Sequence, residues 1–129
     1  GGLPHSIWET YSAFANSYGG LILLGVEERP DHSLRVQGLL EPHEMAKEFW
    51  RMVSDPQVVS VNILRPEDVW VAGTDDGAVL VIQVPPGERD QLPVYLGQDP
   101  FHGSYRRSGD GDYHCTRAEV QAMLGARTH

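Results

Sequence analysis

A chain of 129 residues is the length of one ordinary domain, enough to bury one core. With 40% hydrophobic and 22% charged residues it has globular composition, which argues against a disordered chain, and no apolar run approaches a membrane helix of roughly 20 residues. Net charge is −8, from ten basic residues (nine of them arginine) against eighteen acids, so strong autonomous binding of nucleic acid is disfavoured. A nucleic-acid site here has to be a local patch that works against the overall field.

The opening Gly1-Gly2-Leu3-Pro4 has neither the basic start nor the apolar stretch of a signal peptide, and reads as an edge cut from a longer protein. The single cysteine, Cys115, fits a reducing, cytoplasmic compartment.

In chain order, the spacing predicts a helix over Ser6 to Ser17, with Ser6 and Glu9 as a capping box. Its apolar stripe is Ile7, Tyr11, Phe14, Ala15 and Tyr18. Gly19-Gly20 ends it, and Leu21 to Val26, apolar throughout, predicts a strand covered on both faces. Leu34 to Leu39 suggests a further strand, and Pro42 to Val53 a second helix with proline in its first turn. Val58 to Leu64, Asp68 to Ala72 and Ala78 to Val84 read as strands, the last two joined by the hairpin turn Gly73-Thr74-Asp75-Asp76-Gly77. A polar, proline-bearing connection carries a short strand at Val94 to Leu96, and His102 to Arg107 reads as a final strand before the turn Ser108 to Asp112. Thr116 and Glu119 repeat the capping-box spacing at the start of a last helix, which Gly125 stops. Trp8 and Trp50 fall on helix faces as core residues; Trp70 is open to either assignment. The elements sum to a single α+β domain over residues 1–129, with about three helices and no internal repeat.

The stretch Ser12-Ala13-Phe14-Ala15-Asn16-Ser17-Tyr18-Gly19-Gly20-Leu21-Ile22-Leu23-Leu24-Gly25-Val26-Glu27-Glu28 resembles the signature of the Schlafen/AlbA-type family. Tyr105-Arg106-Arg107-Ser108-Gly109-Asp110-Gly111-Asp112-Tyr113, followed by Cys115-Thr116, resembles the family's closing element. The resemblance implies a mixed, mostly antiparallel sheet flanked by helices. It also implies the front module of a longer bacterial regulator, ATP-binding protein or helicase-like protein, with a DNA-binding role. Some Schlafen relatives are endoribonucleases that hold divalent metal with three carboxylates, the chemistry that activates water and stabilises a leaving oxygen. Only the third of those acids corresponds to residues present here, Glu27 or Glu28.

Three readings of function follow. The leading one is a nucleic-acid-binding accessory domain, non-catalytic in isolation, which contacts DNA or RNA through Arg106 and Arg107. These two alternate on a strand, so only one faces any given surface, and an ion pair is as open as a phosphate contact for either. The others are an interaction module, either a homodimer or a platform for flanking domains, and an incomplete fragment of a metal-dependent endoribonuclease core. Asn16, Gly19 and Gly20 sit at a helix C-terminus, where the dipole repels anions, so a helix stop is the stronger reading; Gly25 is read as a close-packing position. His102, His114 and Cys115 lack the paired spacing of a zinc site. There is no phosphate-loop motif, and no cofactor is expected.

Overall fold

A computed structural model describes residues 2–127. The first helix, α1 (Ile7–Ala15), is buried on nearly every side, with Ile7, Trp8, Tyr11, Ala13, Phe14 and Ala15 all in the core. It lies against the main sheet, whose strands are β1 (Gly20–Leu24), β4 (Val69–Thr74) and β5 (Gly77–Val84), in the order β1-β5-β4. A hairpin of β2 (Val26–Glu28) and β3 (Leu34–Val36) follows β1, and α2 (Pro42–Val53) packs on the same side of the sheet as α1. The chain closes through a helical turn α3 (Pro100–Gly103), the hairpin β6 (Tyr105–Ser108) with β7 (Gly111–His114), and α4 (Arg117–Ala126). Every ladder among the described residues is antiparallel, so the expected α+β fold with antiparallel pairing is the one adopted. No helix of the described residues is long and apolar enough to cross a membrane.

The core forms where the inner face of the sheet (Ile22, Leu80, Ile82 and Val84) meets α1 and α2. Trp8 stacks on Phe49 of α2 with ring centroids 5.2 Å apart, which couples the two helices. The predicted bounds of α2 are those observed, and Thr116 and Glu119 do form a capping box on α4. That helix runs one residue past Gly125 before it ends.

Several expectations are corrected. Ser6 makes no cap, because its backbone is already helical (φ −68°, ψ −10°) and Glu9 is instead reached by the Tyr105 hydroxyl at 3.4 Å. Tyr18 lies beyond the helix and is almost fully exposed. Residues 58–64 are no strand: Val59 makes one isolated bridge to Leu96, while the Tyr11 hydroxyl donates to Val61 O (2.9 Å) and accepts from Ile63 N (3.0 Å). A side chain thus takes backbone groups that a ladder would use. The strand expected over His102 to Arg107 begins at Tyr105, because Asp99 caps α3 by accepting from Phe101 N at 2.9 Å, and it is not the final one, since β7 follows it. The expected turn over Ser108 to Asp112 shrinks to Gly109-Asp110, because Ser108 already pairs with Gly111 across the ladder. Finally, β1 is an edge strand covered on one face only: Ile22 is buried, while Leu21 and Leu23 are exposed.

Candidate nucleic-acid interface

The end of α1 and the strand after it are built for close approach. Gly19 has φ +75°, and a Cβ there would lie 2.6 Å from Val84 O. A Cβ on Gly20 would stand 2.7 Å from the Phe14 ring, and one on Gly25 (φ +95°) would meet Leu39 Cγ at 2.9 Å and Ala78 O at 3.0 Å. All three positions therefore pack backbone against neighbouring chain. Asn16 is a tie, not an anion site. Its Nδ2 donates to Val94 O and Tyr105 O, both at 2.9 Å, while its Oδ1 accepts from Val94 N at 2.8 Å.

Glu27 and Glu28 are successive residues of β2 and so point to opposite faces. Glu27 accepts from Gln37 Nε2 at 2.7 Å, and Glu28 meets His32 Nδ1 at 3.1 Å. Among the described residues no three His, Cys, Asp or Glu side chains come together to hold a metal ion. His102 pairs with Asp99, whose carboxyl it holds below the usual range, and His114 packs on Tyr105 at 4.4 Å between ring centroids. Cys115 is buried, which pushes its thiol up to about 11. These three expected bystanders form no common site.

The β6–β7 hairpin separates the two arginines. Arg107 faces α1: its Nη1 meets Asp112 Oδ1 at 2.8 Å and its guanidinium lies 5.2 Å from the centre of the Phe14 ring. Asp112 is held in turn by Thr10, whose hydroxyl donates to it at 2.6 Å. Arg106 faces the other way, directly across the ladder from Tyr113 and 5.7 Å from the centre of that ring. Its side chain is 38% exposed, and Tyr113 is 52% exposed. Arg106 Nε is shielded from solvent and stands 3.3 Å from Glu119 Oε1 without hydrogen-bond alignment. Glu119 is already committed to capping α4, where the Thr116 backbone N–H lowers its pKa. The outer face of the hairpin therefore carries a cation and an aromatic ring side by side. Tyr113 was missed in the sequence, although the cross-strand register of a four-residue hairpin identifies it once the turn is placed.

Two more cations lie on the β2–β3 hairpin. Arg29 and Arg35 make no ion pair among the described residues, and both line an open depression shared with Gln37 and Asp76.

The architecture defines an α+β domain in which a three-stranded antiparallel sheet carries two helices on its inner face and a short hairpin is docked on the first helix. Residues 2–116 match the family described as Schlafen, AlbA_2, and the chain belongs to that family. Among solved structures it is similar to the N-terminal domain of an ATP-dependent DNA helicase RecG-related protein from Nitrosomonas europaea, solved by NMR in solution. The two are 28% identical with a TM-score of 0.62, over 88% of this chain and 76% of that one. No curated protein matches the chain.

Proposed function

We propose that this domain is a nucleic-acid-contacting accessory module of a larger helicase-related or regulatory protein, without catalysis of its own. The reading is supported by the family and by the helicase-related neighbour. The observation that carries it is the outward Arg106–Tyr113 pair, since a guanidinium beside an exposed ring offers one group to phosphate and another to a base. Arg107 serves this reading as the residue that fixes the hairpin against α1. The acidic balance sets the expected strength: modest affinity that falls steeply with salt.

The test is a fluorescence-anisotropy titration against duplex DNA, single-stranded DNA and structured RNA at two salt concentrations. Saturable binding that weakens in Arg106→Ala and in Tyr113→Ala, with a shallower salt slope only in the former, supports the reading. Flat curves for all three ligands reject it. Because Glu27 and Glu28 face apart, added Mn²⁺ is expected to produce no RNA cleavage; cleavage lost in Glu27→Gln or Glu28→Gln would restore the nuclease reading.

A further inference from the structure

A second guanidinium stands with Arg106 at the start of α4. Glu119 Oε1 lies 3.3 Å from Arg106 Nε and accepts from Thr116 N at 2.7 Å, which sets the Arg106 side chain beside the residue that precedes Arg117. Arg117 is exposed and makes no ion pair among the described residues; its guanidinium lies 4.4 Å from the centre of the Phe101 ring. Two cations from separate elements, β6 and α4, thus converge on one helical turn, and each is set by an aromatic ring, Arg106 by Tyr113 and Arg117 by Phe101. The carboxylates among them are committed. Glu119 caps α4, while Asp99 accepts from Phe101 N at 2.9 Å and pairs with His102.

We propose that Arg117 is a second phosphate-contacting residue, and that the ligand is an unpaired strand of nucleic acid that crosses the start of α4. This rests on the Arg106–Tyr113 reading and specifies its ligand. A guanidinium presents its donors in a planar fork that matches phosphate oxygens, so two of them side by side take successive phosphates of one strand. The exposed ring makes that strand an unpaired one. Tyr113 is 52% exposed beside Arg106, and a base can lie flat on it only when its own face is free of a duplex stack. Phe101 has a different task. Half-buried on α3, it steadies the Arg117 guanidinium, so less freedom is lost when a phosphate binds. A local pair of cations also answers the acidic balance, since it attracts a strand that the chain as a whole repels.

Anisotropy titrations of labelled single-stranded DNA, single-stranded RNA and duplex DNA across a salt series test this. The better of the two single strands should bind more tightly than the duplex. Arg117→Gln and Arg117→Ala should each weaken binding as Arg106→Ala does, with a log–log salt slope shallower by about 0.7. The glutamine variant keeps the stem over Phe101 and guards against loss of fold in the other. Arg117→Lys should restore the slope. Lys47→Ala, which removes one charge from α2, should bind as the parent does. A duplex bound as tightly as either single strand overturns the proposal and leaves the Arg106–Tyr113 reading standing. So does an Arg117→Gln variant no weaker than Lys47→Ala while Arg106→Ala is impaired. Flat curves for the parent chain overturn both.

Discussion

Asn16 holds Val94 from both sides of its peptide: the amide group donates to Val94 O at 2.9 Å and accepts from Val94 N at 2.8 Å. One turn earlier on α1, the Ser12 hydroxyl donates to Val94 O at 2.7 Å and accepts from Tyr105 N at 3.0 Å. The polar side chains of Ser12 and Asn16 thus take the backbone groups of Val94 and Tyr105 next to the point where Tyr95 and Ser104 pair directly. Asn16→Ala leaves the Val94 N–H and the Tyr105 carbonyl without partners, and should cost about 2–3 kcal/mol in urea denaturation. Asn16→Asp keeps the acceptor but turns a charge toward two carbonyl oxygens, and should cost at least as much. A change within experimental error in both variants would show that water replaces the amide.

The glycines separate by surroundings. Gly19→Ala forces a side chain into a left-handed backbone 2.6 Å from Val84 O, so stability should fall by about 1–3 kcal/mol or more. Gly125 lies inside α4 with open space around its missing Cβ, so Gly125→Ala should raise stability by about 0.5–1 kcal/mol. Thermal midpoints that move in opposite directions are the check.

Alkali should weaken the fold through two buried groups. Burial raises Cys115 from its ordinary 9.0 to about 11 and Tyr11 from 10.0 to about 12. Both groups lose their protons earlier in the unfolded chain, so their contribution is intact below pH 9.0 and is lost as pH climbs through 11 and 12. The urea midpoint should fall over that window, and Cys115→Ala should flatten its lower half. A midpoint independent of pH from 9.0 to 11 would contradict the buried placement of the thiol.

The two adjacent arginines should behave as opposites. Arg107→Ala removes the Asp112 pair and the contact with Phe14, with an expected loss of about 1–2 kcal/mol. Arg106→Ala, whose ion pair is partly exposed, should change stability by no more than about 0.5 kcal/mol while it weakens nucleic-acid binding. A larger thermal shift in Arg106→Ala than in Arg107→Ala would mean that the hairpin faces are assigned the wrong way round.

What could be read from the sequence follows from how local each signal is. Pro42 to Val53 and Thr116 to Glu119 were legible because proline at a first turn and a capping box act within four residues. Ser6 and Glu9 have the same spacing but lost it to a partner 96 residues away, Tyr105. Residues 58–64 have strand composition, yet the Tyr11 hydroxyl took their backbone groups, a competition between side chain and ladder that no window of sequence displays. In the candidate site, alternation showed that Arg106 and Arg107 part company. Which of them faces out depended on α1, almost a hundred residues earlier. The one-sided cover of β1 was hidden for a related reason: an apolar run reports what a strand tolerates on both faces, not which of them the domain itself fills.

The bonds of α1 also set a clock. Its side chains and the Asn16 cap reach Val61 and Ile63, then Val94, then Tyr105, and finally Asp112 through Thr10. During synthesis the helix leaves the ribosome before every one of these partners. Ser12 and Asn16 have no backbone to hold until residues 94 and 105 have emerged, and Thr10 waits for Asp112, so the central helix of this domain settles only after most of the chain that follows it has been made.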